Sequence, residues 1–490
     1  MPASTRPAIV WLRDDLRLAD NPALAAALES GAPVLCVYIF DRQSAGLRAP
    51  GGASRWWLHH SLARLGTQIA ALGGRLDLFT GRADEVMAQL AGACAAQAVF
   101  WNRRYGAAEI ALDSKIKTSL TASGIKAASF NSHLLVEPWE VKTKTGGDFR
   151  VFSPFWRACL ASRHWPAPLP APAHIPAASI PKSGQHPQTL ASLKLLPAKP
   201  DWSGGLAAQW QPGEAGARDL LGRFLDHGIH NYGTDRNRPD LPNTSNLSPH
   251  LRFGEISPRQ IVQSVEAAHD AGAVRVGDVD KFLSEIGWRE FAYHLLFHHP
   301  DLATRNFSSR FDEFPWAAAD PVVLRAWQRG QTGYPIVDAG MRQLWQTGTM
   351  HNRVRMVTAS FLTKHLMIDW RVGEAWFWDT LCDADPANNP ASWQWVAGSG
   401  ADAAPYFRIF NPVLQGERFD PKGDYVRSFV PELAAMPDKW LHQPWEAPAD
   451  VLHRAGVKLG KTYPAPIVDH NLARDRALAA FASLAPKTAA

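Results

Sequence analysis

The sequence predicts two parts, an N-terminal α/β domain built on a doubly wound parallel sheet and a C-terminal all-α domain. Three observations carry this. Short apolar runs alternate with helical patterns through residues 1–135, a Pro- and Ala-rich stretch interrupts the pattern, and helical periodicity alone fills residues 213–490. At 490 residues the chain is too long for a single compact core, which fits that division.

The strands come first. Residues 8–12, 33–40, 76–80 and 98–102 are unbroken apolar runs of strand length, as expected for strands buried on both faces. Residues 54–72 and 107–122 read as crossover helices between them. A sheet of this kind binds ligands at the C-terminal ends of its strands, but no G-x-G-x-x-G follows the first strand, so a conventional dinucleotide fingerprint is absent. Residues 136–212 form the interdomain linker, with PAPLPAPAHIPAASIPKSGQHPQ at its centre, a composition that stays extended and does not fold alone. Beyond it, residues 216–227, 258–271, 279–298, 337–347, 354–365, 374–381 and 471–484 carry helical patterns.

Composition narrows the function classes. Hydrophobic residues make up 46% and charged residues 20%, with no run apolar enough to span a bilayer, and charges occupy the N-terminal stretch where a signal peptide needs its apolar core. A cytoplasmic location is expected. The four cysteines, Cys36, Cys94, Cys159 and Cys382, have no metal-ligand spacing, so no metal is expected. The net charge of +5 permits a polyanionic partner without requiring one. Most of the 20 tryptophans serve packing.

Four stretches stand apart from that background. In Asn389-Pro-Ala-Ser-Trp393-Gln-Trp395, after Asp383-Ala-Asp385, a helix would rotate the two indoles about 200° apart, one inward and one toward a cavity. Glu285-Ile-Gly-Trp288-Arg289 gathers an acid, an indole and a guanidinium on one helix face, as Met350-His-Asn352-Arg353-Val-Arg355-Met356 gathers Asn352, Arg355 and Met356. Tyr232-Gly-Thr-Asp-Arg236 and Asn243-Thr244-Ser245-Asn246-Leu247-Ser248 form a polar loop whose N–H and hydroxyl groups can wrap a phosphate. Each alone reads equally as core, ion pair, solvated face or helix cap.

In this order, with Thr332-Gly-Tyr-Pro-Ile-Val-Asp338 and Tyr406-Phe-Arg408-Ile-Phe-Asn411-Pro, these stretches resemble the flavin domain of DNA photolyases and cryptochromes. Trp11-Leu-Arg-Asp-Asp15-Leu-Arg17 resembles the family's opening strand and Ser153-Pro-Phe-Trp156 its interdomain stretch, so the resemblance covers nearly the whole chain. It implies an all-α FAD-binding domain holding FAD through Tyr232, Thr244, Ser245, Asn246, Leu247, Ser248, Arg289, Asn352, Arg355, Asp383, Asp385 and Asn389, with Asn389 at flavin N5. The activity implied is light-driven repair of cyclobutane pyrimidine dimers by electron transfer from excited reduced FAD.

Within that activity the resemblance makes Glu285, Asn352 and Asn389 the catalytic residues. The lesion would be flipped out of the DNA against Trp288, Trp395 and Met356, with Arg236, Arg353 and Arg408 on phosphates. Trp393, Trp370 and Trp316 match the family's electron-transfer triad; for Trp370 and Trp316 plain packing stays open. An antenna chromophore in the N-terminal domain is expected to be methenyltetrahydrofolate, with Glu109 as a contact or else a solvated helix charge. The alternative is a photoreceptor cryptochrome without repair. Asn389 and the five residues Glu285, Trp288, Asn352, Met356 and Trp395 favour repair of dimers, and the absence of histidines at Asn352 and Met356 disfavours a (6-4) photolyase. Thr349, where many bacterial members carry Trp, points from class I toward class III. A bacterial, monomeric protein is expected.

Overall fold

The structure, a computed structural model, describes residues 6–162, 165–181, 185–403 and 407–484 and divides into two compact units. The first comprises Met1–Phe149, Pro154–His227 and Ser245–Pro300; the second comprises Arg150–Ser153, Gly228–Thr244 and Asp301–Ala490. The first unit thus takes in the helices Pro258–Asp270 and Val276–His298, which follow residue 213 in the chain.

Its centre is a five-stranded parallel sheet of β1 (Ala8–Leu12), β2 (Val34–Phe40), β3 (Leu76–Thr80), β4 (Ala98–Asn102) and β5 (Lys126–Phe130) in the order β3-β2-β1-β4-β5. Parallel neighbours need crossovers, and the helices Pro22–Glu29, Gly52–Ala71, Ala83–Ala93 and Ala107–Ala122 supply them. Period-two alternation sends Ile9, Trp11, Leu35, Val37, Ile39, Val99 and Trp101 to one face, against Val86, Met87, Leu90, Leu112 and Ile116 of two crossover helices. Trp11 and Trp101 are register partners and meet edge to face at 6.1 Å.

The order of strands reverses between β1 and β4, the switch point where open sheets of this kind bind ligands. A polar cluster occupies that end. Asn102 donates to Asp15 (2.6 Å) and Asn21 (2.8 Å), Arg13 pairs with Asp113 (2.6 Å), and the Arg13 guanidinium stacks 4.2 Å from the Trp11 ring.

The second unit is helical. Trp327, Met341, Val354, Phe361, Leu362, Trp370, Phe377 and Trp393 form its apolar core. The segment expected as one helix over 354–365 is an α-helix, Asn352–Ser360, whose last turn widens into a π-helical turn, Phe361–His365. The same widening follows Glu214–Arg223 in Phe224–Gly228.

The two helices that matter most here, Trp370–Thr380 and Asn388–Ala397, pack closely because position 373 is glycine: a Cβ there would overlap the six-membered ring of Trp393. Gly373→Ala is therefore expected to lower stability by about 1–3 kcal/mol, as overpacking does. Denaturant unfolding with unchanged m-value measures it, and an unaltered midpoint would show that the helices separate at no cost.

Candidate functional site

The Asn388–Ala397 helix carries three of the expected residues and is fixed from both ends. Before it, Asp385 is buried and accepts from the backbone N–H groups of Ala387 (2.8 Å) and Asn388 (2.6 Å) and from the Asn388 amide (2.8 Å). In its first turn the Asn389 amide nitrogen donates to the Glu374 carboxylate (2.8 Å) and carbonyl (3.1 Å). This orients the amide, so its carbonyl oxygen is the end left to accept a hydrogen bond from a ligand. Glu374, buried in the Trp370–Thr380 helix, orients Asn389 and went unread in the sequence. An acid among four aromatic residues gave no local signal.

Farther along, the two indoles differ in burial. Trp393 is 2% exposed and packs against Phe377 (4.9 Å) and Trp327 (6.3 Å); Trp395 is half-buried and donates from Nε1 to the Asp402 carbonyl (3.2 Å). Trp370 is fully buried in the same apolar core as Trp393 and donates to Asn306 (2.9 Å), while Trp316 is half-buried against that core, beside Phe314. Trp393 and Trp370 thus belong to one buried core, and Trp316 packs against it from a half-buried position.

Arg355, on the Asn352–Ser360 helix, donates to Asp383 (2.8 Å) and, through Nε, to the Met350 carbonyl (2.7 Å). The Asp383 side chain is 5% exposed, and a carboxylate so buried requires its cation. Asn352 is exposed at the start of that helix, and Met356 is half-buried one turn on.

The polar loop has the geometry of an anion nest. Asn246 adopts a left-handed conformation (φ 53°) and Leu247 a right-handed one (φ −84°), which aims successive N–H groups to one side, and Ser245 Oγ accepts from Leu247 N (3.5 Å). Thr244 is half-buried before it and Ser248 begins the short helix after it. Tyr232 is buried, with the Arg236 guanidinium 5.8 Å from its ring.

Arginines mark a positive face on the second unit. Burial, then the like charges of Arg236, Arg418 and Arg408, hold the Arg353 guanidinium below its usual pKa. Arg353 donates to Asn237 (2.8 Å) and lies 4.5 Å from the Phe419 ring, with Arg418 5.1 Å from that ring and Arg408 5.9 Å from Trp395. Arg418 was not foreseen; the basic residue in Gln-Gly-Glu-Arg-Phe was the available signal. Tyr406, quoted in the family motif, lies outside the described residues.

On the first unit's Val276–His298 helix, Glu285 is half-buried and pairs with Lys281 (3.4 Å), and half-buried Trp288 meets Phe291 edge to face (5.9 Å). Arg289 lies on the same helix. Its guanidinium is buried, donates to the His133 carbonyl (2.8 Å), contacts His133 Nε2 (2.7 Å) and pairs with Glu290 (3.3 Å). The i, i+4 spacing placed it beside Glu285, but nothing in the sequence announced a receptor at His133. Burial pushes the Glu290 carboxyl up to about 7, although Arg289 and the N–H groups of Leu135 and Val136 oppose this. Glu109 also turns locally: its carboxylate folds back over Gly106 at the start of its own helix.

No described helix is long and apolar enough to cross a membrane, and among the described residues no cluster of three or more His, Cys, Asp or Glu could hold a metal.

Comparison with known proteins agrees with this geometry. Residues 8–173 match the family model described as DNA photolyase, and residues 282–483 the one described as FAD binding domain of DNA photolyase. A deoxyribodipyrimidine photo-lyase of Agrobacterium fabrum is 53% identical over 489 residues, covering 100% of both chains, and cryptochrome-1 of Arabidopsis thaliana is 40% identical over 96% of this chain and 69% of its own. A crystal structure of a class III photolyase from Agrobacterium tumefaciens superposes with a TM-score of 0.94 at 52% identity, covering 99% of this chain and 98% of that one. The chain belongs to the DNA photolyase/cryptochrome family and contains that family's FAD-binding domain.

Arg355→Met is expected to leave Asp383 buried without its cation, lowering stability by about 2 kcal/mol or more and releasing FAD. Flavin absorbance after gel filtration reads the second effect; full retention would remove Arg355 from the binding set.

Proposed function

We propose that this protein repairs cyclobutane pyrimidine dimers in DNA using light, as a deoxyribodipyrimidine photo-lyase. The observation that carries this reading is the full-length relationship, at 53% identity, to the Agrobacterium photo-lyase. The residues fit FAD: a buried Arg355–Asp383 ion pair, the nest at Asn246 and the oriented amide of Asn389 supply charge, phosphate donors and a neutral acceptor. When bound, reduced and excited, FAD supplies an electron to the dimer and recovers it after the ring opens.

The chain's own residues then have distinct tasks. Tyr232, Thr244, Ser245, Asn246, Leu247, Ser248, Arg289, Asn352, Arg355, Asp383, Asp385 and Asn389 would hold the flavin, with Arg289 braced by His133 and Glu290. Asn389 accepts at N5 without adding charge. Glu285 and Asn352 contact the lesion, and the Asn352 amide donates a hydrogen bond that stabilises the negative charge the lesion acquires. Trp288 and Trp395 offer aromatic faces to flipped bases and Met356 an apolar contact. Arg236, Arg353, Arg408 and Arg418 bind phosphates, a contribution that is salt-dependent and indifferent to sequence. Trp393, Trp370 and Trp316 would be the residues that pass electrons toward bound FAD to restore its reduced form. We read the antenna as methenyltetrahydrofolate, which the mass of the chromophore released on denaturation identifies.

The test is repair of a thymine-dimer oligonucleotide by photoreduced protein under blue light, with a dark control and a (6-4) substrate. Light-dependent loss of the cyclobutane dimer alone is expected; no repair despite bound reduced FAD would assign the chain to photoreception. Trp393→Phe should abolish photoreduction while pre-reduced enzyme still repairs. Arg418→Gln should weaken binding to damaged and undamaged DNA alike and reduce the salt slope by about one. An unchanged slope would take Arg418 off the DNA face.

A further inference from the structure

Lys364 lies in the π-helical turn Phe361–His365 and is 1% exposed, a rare position for a lysine. None of the ion pairs among the described residues includes it. Instead its Nζ donates to two carbonyls from different elements: Val396 (2.8 Å), in the last turn of the helix that carries Trp393 and Trp395, and Arg408 (2.9 Å). The ammonium also sits 4.1 Å from the Phe407 ring. A second tie joins the same segments, since Phe410 N donates to Ser360 Oγ (3.3 Å).

We propose that Lys364 is a positioning residue for DNA binding, a buried clamp that holds the Phe407–Arg408 segment against the end of the Trp395 helix so that the Arg408 guanidinium faces phosphate. The proposal rests on the reading of Arg408 as a phosphate contact. A helix C-terminus favours a cation, and a charged donor makes a hydrogen bond about twice as strong as a neutral one, so the clamp is tightest when Lys364 is protonated.

Burial, reinforced by the Arg408 charge, lowers the Lys364 pKa to about 7. The cation is therefore present below neutrality and lost as pH rises through 7. The other charged or titratable groups around it do not change state there. His365, next in the chain, is pushed down to about 3, and His470 of the last helix, 2.8 Å from His365, is also lowered, while Arg476 donates to the His365 carbonyl. Asp420, beside the arginine-bearing helix Pro412–Phe419, titrates at about 6. A window from pH 6.5 to 8.5 lies above it.

The experiment measures the dissociation constant of the FAD-loaded protein for a dimer-containing duplex in the dark across that window, for wild type, Lys364→Met, Arg408→Gln and the double variant. Wild-type affinity is expected to fall about fivefold from pH 6.5 to 8.5, and Lys364→Met to be weak and flat throughout, with its flavin spectrum unchanged. Arg408→Gln should also lose the pH dependence, and adding Lys364→Met to it should cost nothing further. If Lys364→Met does not fold, the wild-type and Arg408→Gln profiles still decide. Parallel profiles in those two, or additive losses in the double variant, overturn the clamp alone. Unchanged affinity in Arg408→Gln removes Arg408 from the DNA face and the proposal with it.

Discussion

The contact of Trp393 with the bare backbone at Gly373 is the constraint on which the second unit's chemistry depends. It sets the distance between the Trp370–Thr380 and Asn388–Ala397 helices, and that distance lets Glu374 reach the Asn389 amide. One ten-residue helix then presents an oriented amide near its start, a buried indole in its middle and a half-buried indole two residues later. Gln394, between the indoles, locks the rotation: its amide donates to the carbonyls of Leu302 (2.7 Å) and Arg305 (2.9 Å) and its oxygen accepts from Phe307 N (2.7 Å). A helix held by so many directional contacts has little freedom to roll, so the Asn389 amide keeps one orientation.

Charge in this unit is handled by two different means. Where anionic charge is buried, at Asp383, a guanidinium answers it directly. Where cationic charge is buried, at Lys364, carbonyl dipoles and an aromatic face answer it and no carboxylate does. Burial, and after it the like charges of Arg236, Arg418 and Arg408, depresses the pKa of Arg353, and the clustered guanidinium groups make the face attractive to a polyanion.

Much of this was legible in the sequence. Four strands read correctly because buried parallel strands are continuous apolar runs, and the unequal burial of the two indoles followed from helical rotation alone. β5 escaped because Lys-Ala-Ala-Ser-Phe is a half-exposed edge strand with no such run. The contacts that went unread share one cause: Glu374 and Lys364 are charged side chains in the interior, and Arg289 is braced by His133, so each is defined by a partner distant in sequence. Periodicity reports which face a residue occupies and is silent on what meets it. The π-helical turns added a further displacement, since a widened turn shifts every face by part of a residue.

The margins of the five-stranded sheet carry a consequence for crowded solution. At one border the backbone of Gln188 bridges to Leu78 of β3 and donates to its carbonyl (2.6 Å), closing part of that rim from within the same unit. At the other, β5 is five residues long and opens with an exposed lysine, and a short rim bearing a cation discourages a foreign strand from annealing there. Neither border offers a long apolar template. The sheet is thereby guarded against edge-to-edge annealing with a second copy of itself.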